Sequence, residues 1–202
     1  ADAKAVMRLF RTVPYGETHR LRKGLTFTFA DAGHILGSAS TRFEVERDGE
    51  TTSVVFSGDL GRYHQPLNPD PTGGLAADYL VVESTYGNRE HGNGDAKAQL
   101  AEVVNRKAKR GGHLVIPAFA VGRTQHVLYL LRELEEENRI PTLPVFVDSP
   151  MATDTTELYL RHVAELDDET AAVVRRHRNP FQTRQLRYAR SVAESRQASG
   201  ME

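Results

Sequence analysis

Three side chains able to bind a metal or transfer a proton occur at intervals of about 25 residues, each after an apolar run. His34 lies in FADAGHILGSAS, Asp59 in VVFSGDLGR and Glu83 in DYLVVESTYG. Glycines close to His34 and Asp59 permit tight turns and the close approach of another group. Imidazole and carboxylate groups bind zinc or manganese and also serve as general acids or bases. These residue types therefore point to metal-assisted or acid–base chemistry at strand ends.

Each of these residues also has a simpler interpretation when it is taken alone. His34 is a metal ligand, a base or a structural ring, and Asp59 is a ligand or a turn cap. Glu83 is a base, a ligand, a group that orients another side chain, or a capping residue. A zinc site needs three or four protein ligands, so His34 and Asp59 do not complete one. The sequence has no cysteine, so imidazole and carboxylate groups must supply any metal ligands.

The predicted secondary structure changes near residue 87, from strands alone to alternating helices and strands. Before it, short apolar or alternating runs bounded by turn residues predict strands over 25–31, 41–47, 53–59 and 78–84. After it, the pattern predicts a helix over 95–110, a strand over 113–119, a helix over 123–138, a strand over 143–149 and a helix from about 151. Such alternation is typical of an α/β fold, so we expect 113–119 and 143–149 to be adjacent parallel strands.

The rest of the chain carries fewer indications of structure and compartment. The charged runs RRHRNP and RQLRYAR are predicted to form solvated helices or turns. The chain has 202 residues, 39% of them hydrophobic, with 26 basic and 27 acidic residues. This composition excludes a disordered chain or a coiled coil, and the net charge of −1 gives no overall field for attracting nucleic acid or membrane. Because no apolar run approaches the roughly 20 residues of a membrane span, we expect a soluble protein. The absence of cysteine is compatible with a cytoplasmic location, which is the location we expect.

Five segments in a fixed order together resemble one known family. They are DAGHILGSA, FSGDLGR, DYLVVESTYGNREH, GGHLVIPAFAVGRTQHVLYLL and PVFVDSPMA, and the similarity extends from about residue 12 to 185. Their order resembles the β-CASP branch of the metallo-β-lactamase superfamily, which includes RNA-processing nucleases such as the polyadenylation cleavage endonuclease. The resemblance implies a four-layer αββα core with an inserted Rossmann-like β-CASP domain. Residues 1–87 would be part of the core, and residues 88–202 part of the inserted domain.

The resemblance also implies roles for the three residues. His34 matches a ligand of one zinc ion, and Asp59 matches the carboxylate that bridges two zinc ions. Glu83 matches the acidic residue that opens the β-CASP region, where it orients a histidine supplied from later in the chain. The implied activity is two-metal hydrolysis of RNA phosphodiester bonds, with zinc as the expected metal and manganese as the alternative.

Two elements of the family pattern do not occur in this sequence. The H-x-H-x-D-H motif, which supplies four residues of the metal site, would lie before DAGH, and two further histidines would lie after the β-CASP region. We therefore interpret the chain as an internal fragment of a larger enzyme. We expect it to be inactive by itself.

Several other features remain open at this stage. Arg123 follows Gly122 at a predicted helix start, where free N–H groups and the guanidinium would bind phosphate, or where Arg123 would pair internally. In DSPMA, Asp148 or Ser149 is expected to cap the next helix. The alternative functions are a small-molecule hydrolase of the same superfamily and a non-catalytic nucleic-acid-binding subunit. The sequence leaves open whether the protein forms a homo-oligomer.

Overall fold

The computed structural model describes residues 2–90, 92 and 94–200, and the chain divides into two compact units. Unit 1 contains Ala1–Tyr63 and Asp70–Thr85, and unit 2 contains His64–Pro69 and Tyr86–Glu202. The last division falls close to residue 87, where the sequence pattern changes. The assignment of the short segment His64–Pro69 to unit 2 is not indicated by the sequence.

Unit 1 is built on a five-stranded sheet. A short helix α1 (Asp2–Val6) and a 3₁₀ turn (Met7–Leu9) precede it. The strands are β1 (Thr18–Arg22), β2 (Leu25–Asp31), β3 (Ala39–Arg47), β4 (Glu50–Phe56) and β5 (Tyr79–Val81). Their spatial order is β1-β2-β3-β4-β5, and each pair is antiparallel except β4 and β5, which are parallel.

All four strands predicted for unit 1 are present, although two of them end early, and the structure adds a fifth. The strand over 25–31 is reproduced in full, whereas the last two predicted strands end at Phe56 and Val81. Asp59 and Glu83 therefore lie in the loops that follow β4 and β5. Strand β1 was not predicted, because THRLR is polar and mostly exposed.

Side chains of alternate residues give this sheet one apolar face. Phe27 and Phe29 on β2 have ring centroids 5.0 Å apart, and Phe43 on β3 meets Phe56 on β4 at 5.9 Å, edge to face. Successive residues of a strand point to opposite faces, so polar residues such as Thr28 and Arg42 lie on the other face, together with the buried Val55. This pattern fixes the register of the strands, because a shift by one residue would exchange the two faces.

The pairing pattern brings three strand ends to the same edge of the sheet. Strand β3 is antiparallel to both β2 and β4, so β2 and β4 run in the same direction. Strand β5 is parallel to β4 and therefore shares this direction. The loops after β2, β4 and β5, which carry the three candidate residues, consequently begin at one edge of the sheet.

Unit 2 consists of helices and a two-stranded sheet. The helices are α2 (Ala96–Arg110), α3 (Arg123–Glu136), α4 (Pro150–Arg161), α5 (Asp168–Arg175) and α6 (Val192–Ser199), with a 3₁₀ turn at Val163–Glu165. The strands β6 (Val145–Val147) and β7 (Leu186–Tyr188) are parallel. The α/β class predicted from the sequence is confirmed, including the presence of parallel strands.

Local capping explains where several of these helices begin. The Asp95 side chain accepts a hydrogen bond from the Ala98 N–H, and the Asp167 side chain accepts one from Thr170. Ser149 accepts from the Ala152 N–H and precedes a proline at the first helical position. Such caps satisfy N–H groups that have no partner inside the helix. The predicted cap of the helix after DSPMA is thus confirmed, and Ser149 provides it.

The prediction for residues 113–119 is wrong, because HLVIPAF is not a strand in the structure. Strand β6 instead pairs with β7, which lies in the RQLRYAR run predicted to be a helix or a turn. Val115 and Phe119 are 82% and 83% exposed, so the apolar character of this run does not reflect burial in this chain. A strand exists only through its pairing partner, and sequence periodicity does not identify that partner.

Helices α2 and α3 contact each other through an apolar core. It is formed by Ala101, Val104, Leu131, Leu134 and Ile140. Among the described residues, none of the helices has the length and apolar character required to cross a bilayer.

Replacing Leu134 with alanine should destabilise unit 2, because this side chain is fully buried in that core. We expect a loss of about 2–5 kcal/mol in the free energy of unfolding, measured by urea denaturation, because the substitution leaves a cavity. Leu158→Ala on α4 is the matched control, since Leu158 is 43% exposed. Equal effects of the two substitutions would contradict the assignment of this core.

Candidate active site

The loop after β2 holds His34 at the sheet edge through hydrogen bonds to its backbone. The Ser38 hydroxyl accepts from the backbone N–H groups of His34 and Ile35, at 3.0 and 3.2 Å. The Asp31 carboxylate accepts from the N–H of Gly33 at 2.7 Å. Gly33 has a φ of 62°, a left-handed conformation that glycine adopts without strain. The imidazole of His34 is exposed, which argues against the interpretation as a buried structural ring.

The loop after β4 presents Asp59 to solvent. Ser57 is buried and donates its backbone N–H to the Val81 carbonyl at 2.9 Å, which secures the start of the loop. Gly58 then has a φ of 57°, and Asp59 follows it with an exposed side chain. The Asp59 carboxylate forms no hydrogen bond or ion pair with any residue that the structure describes. Asp59 therefore does not act as a turn cap, and both carboxylate oxygens remain available.

Direct backbone packing brings these two loops together. The Gly61 N–H donates to the Ala32 carbonyl at 2.7 Å. A Cβ atom on Gly61 would lie 1.9 Å from the Gly33 carbonyl oxygen and 2.7 Å from the His34 nitrogen. Only glycine fits at this position, because all the atoms it would meet belong to the backbone. The loop of Asp59 thus packs directly against the residues that carry His34.

Glu83 connects the loop after β5 to the same place. Its Oε1 atom accepts a hydrogen bond from the Leu60 N–H at 2.5 Å, next to Asp59 in the chain. Its own backbone N–H donates to the Ser57 hydroxyl at 3.0 Å. The Leu60 N–H, and next the Thr85 side chain, lower the pKa of the Glu83 carboxyl group, with a further contribution from the charge of His34. Glu83 is therefore ionised at neutral pH and holds the loop that carries Asp59.

The structure thus brings His34, Asp59 and Glu83 to one edge of the unit 1 sheet. Sequence reasoning noted the glycines beside Asp59 but not the loop that Gly61 contacts, and it missed the role of Ser57. The small residues around Asp59 were the available indication, but their contacts involve residues more than 20 positions away. Among the described residues, no group of three or more histidine, aspartate or glutamate side chains is placed to hold a metal ion.

At the start of α3, two of the backbone N–H groups that the sequence suggested for binding phosphate already have hydrogen-bond partners. The backbone N–H of Arg123 donates to the Val121 carbonyl at 3.0 Å, and that of Thr124 donates to the Phe119 carbonyl at 3.1 Å. These two N–H groups are therefore not free to bind phosphate. The Arg123 guanidinium is exposed and pairs with no acidic residue in the described part of the chain, so the internal pairing considered from the sequence does not occur.

Comparison with known proteins indicates the family. The β-CASP domain description matches residues 124–202, which lie in unit 2. The chain is 36% identical over 181 residues to a ribonuclease of Thermus thermophilus, covering 89% of this chain and 40% of the relative. Residues 124–202 thus belong to the β-CASP domain family. The resemblance inferred from the five ordered segments is thereby confirmed.

Further relatives of this β-CASP chain act on RNA or on transcription according to their names. The transcription termination factor FttA of Methanosarcina mazei is 35% identical over 181 residues, 86% of this chain and 28% of the relative. The endoribonuclease YSH1 of Eremothecium gossypii is 30% identical over 190 residues, 91% of this chain and 24% of the relative. The chain therefore spans less than half the length of each of these relatives.

Replacing Gly61 with alanine should separate the two loops of this β-CASP chain, because the new Cβ atom has no space against the Gly33 carbonyl. We expect a loss of about 1–3 kcal/mol in the free energy of unfolding, measured by urea denaturation. Gly73→Ala is the control, since its Cβ would lie 3.6 Å from the Tyr63 hydroxyl, an ordinary contact. A Gly61→Ala variant as stable as Gly73→Ala would show that the loops do not pack in this way.

Glu83→Gln should alter the pH dependence of stability. The pKa of the Glu83 carboxyl lies below its ordinary value of 4.5 in the folded state. Its stabilising contribution is therefore complete above about pH 4.5 and is lost as the pH falls through the folded-state pKa. Thermal unfolding should show Glu83→Gln to be less stable than the parent at about pH 6, with a smaller difference at about pH 3.

The control for this measurement is Glu50→Gln, at an exposed glutamate whose side chain forms no hydrogen bond or ion pair with a described residue. The difference in stability between Glu50→Gln and the parent should stay constant over the same pH range. A constant difference for Glu83→Gln as well would contradict the bond between the Glu83 carboxylate and the Leu60 N–H.

Proposed function

We propose that this chain is part of a metal-dependent ribonuclease, in which His34 and Asp59 are ligands of a zinc pair and Glu83 positions the Asp59 loop. The observation that carries this proposal is the backbone packing of Gly61 against Ala32 and Gly33, which places an exposed imidazole and an exposed carboxylate on adjoining loops. In this proposal unit 1 is part of a metallo-β-lactamase core, and unit 2 is part of the β-CASP domain.

The donor groups of these loops suit zinc. Both His34 and Asp59 are exposed, and nitrogen and carboxylate oxygen donors bind zinc well, with manganese as the alternative. Zinc requires three or four protein ligands, so the remaining donors have to come from residues other than these two. We therefore expect the 202-residue chain by itself not to hydrolyse RNA.

The residues of this chain then have separate tasks. The Asp59 carboxylate would supply negative charge to the bound cations, and the His34 ring would supply a nitrogen donor. The Glu83 carboxylate holds the Leu60 N–H and so limits the movement of Asp59. When bound, the metal pair would lower the pKa of a water molecule and stabilise negative charge on the phosphodiester oxygens.

RNA is the proposed substrate because relatives named as ribonucleases match most of this chain. A small-molecule hydrolase would not require the β-CASP domain that residues 124–202 match. The cytoplasmic location expected from the sequence remains a prediction.

Asp59→Asn in the whole protein that contains this chain should remove metal and activity together. Asparagine keeps the size of the side chain but removes the charge that holds two cations close together. We expect fewer than two metal ions per protein by elemental analysis, and RNA cleavage reduced by about 100-fold or more. Glu83→Gln should retain more metal than Asp59→Asn, because its proposed role is to position a loop.

The matched control is Asp48→Asn in the turn between β3 and β4, at the other end of β4 from Asp59. Asp48 is exposed with a φ of 54°, a conformation that asparagine also adopts readily. This variant should keep full metal content and cleavage. Two metal ions and parental cleavage in Asp59→Asn would refute the assignment of Asp59 as a metal ligand.

A further inference from the structure

An exposed aromatic ring lies just before helix α3. Phe119 is 83% exposed, the highest value among the large apolar side chains of the described residues. It ends the apolar run 113–119, which forms no strand. Burying such a ring against a partner is favourable, because it removes a large apolar surface from water.

The backbone beneath this ring is held firmly in place. The carbonyl of Phe119 accepts two hydrogen bonds from Thr124, one from its N–H at 3.1 Å and one from its hydroxyl at 2.8 Å. These bonds attach Phe119 to the first turn of α3. Arg123 begins the same helix, so the ring and the guanidinium are carried by one short turn. A surface that is already ordered loses little conformational entropy on binding.

The sequence around this turn is basic. Residues 103–132 contain six lysine and arginine residues and no aspartate or glutamate. Two of the six, Arg106 and Arg132, pair with glutamates just outside this range, which leaves four for a partner. Three of the six lie in the last turn of α2, namely Lys107, Lys109 and Arg110. Arg123 is exposed and forms no ion pair with a described residue. A partner that presents negative charge together with flat apolar surfaces complements this combination.

We propose that Phe119 and Arg123 form a contact site for single-stranded RNA, in which the ring stacks on a base and the guanidinium pairs with a phosphate. This inference rests on the proposed function, because it takes RNA as the substrate. Every base has a flat face that stacks on an aromatic ring, so the contact does not depend on base sequence. The planar guanidinium pairs with phosphate through two parallel N–H donors. The side chain of Arg123, and not the helix N–H groups, supplies the phosphate contact.

The test uses fluorescence anisotropy to measure binding of the 202-residue chain to RNA. The probe is a fluorescein-labelled oligouridine of ten nucleotides, and no metal is added. Phe119→Ala should weaken binding by about 5-fold or more, the effect of losing one stacked base. Phe119→Tyr retains a ring and should bind within about 2-fold of the parent. Arg123→Gln should reduce the slope of log affinity against log salt concentration by about 0.7, the value for one phosphate contact on a single strand.

Two controls separate stacking from other effects. Tyr79→Ala removes an aromatic side chain that is 64% exposed on β5, and it should leave RNA affinity unchanged. An abasic oligonucleotide of the same length offers phosphates without bases. Phe119→Ala should bind this strand as the parent does, whereas Arg123→Gln should bind it more weakly.

The proposal would be overturned if Phe119→Ala bound RNA with the affinity of the parent, or if Phe119→Tyr bound as weakly as Phe119→Ala. It would also be overturned if Phe119→Ala weakened binding to the abasic strand as much as binding to the RNA. The first of these results would leave the exposed ring as a contact for a protein partner. A parent chain that binds no RNA would also overturn it. None of these results would affect the metal content and cleavage measured for Asp59→Asn in the whole protein, so failure of this inference is distinguishable from failure of the proposed function.

Discussion

The candidate site depends on one contact between two backbones. Gly61 donates its N–H to the Ala32 carbonyl and leaves no room for a Cβ atom against Gly33. No side chain separates the loop after β2 from the loop after β4 at this point. The residues next to Gly33 and Gly61 therefore lie on backbone segments that pack directly against each other. His34 and Asp59 can therefore present polar side chains to solvent while the backbone that holds them is ordered.

Strand β5 has only three residues, and two serine side chains, one on β4 and one in the loop just after β4, secure both of its ends. At its beginning, the Ser53 hydroxyl donates to the Asp78 carboxylate at 2.8 Å, and the Ser53 N–H donates to the same carboxylate at 2.7 Å. At its end, the Ser57 hydroxyl accepts from the Glu83 N–H. The two bonds from Ser53 lower the pKa of Asp78, principally the one from its backbone N–H. A strand too short to be stable by itself is thus aligned with β4, which fixes where Glu83 begins.

The exposed polar residues of the site and the exposed ring of unit 2 follow the same physical pattern. Asp59 follows an apolar run and Phe119 is the last residue of another. Both side chains are exposed, and hydrogen bonds hold the neighbouring backbone in place. Exposure of a carboxylate costs little, whereas exposure of a phenylalanine ring leaves apolar surface in water. Glycines near both positions, Gly58 and Gly122, adopt left-handed conformations that other residues rarely tolerate.

The sequence by itself determined the features that depend on neighbouring residues and on motif order. Alternation of side chains predicted the strand over 25–31 in full, and the sequence DSPMA predicted a cap that Ser149 provides. The ordered segments indicated the β-CASP family, and the apolar runs before His34, Asp59 and Glu83 indicated that these residues follow strands.

Tertiary structure alone decided which strands pair and what holds the site together. The apolar run 113–119 forms no strand, whereas the more polar Leu186–Tyr188 does, because pairing with β6 depends on a partner about 40 residues away. The packing of Gly61 against Gly33 and the bond from Leu60 to Glu83 likewise join residues far apart in the chain. Local propensity acts over a few residues, and such distant contacts arise only when the chain has folded.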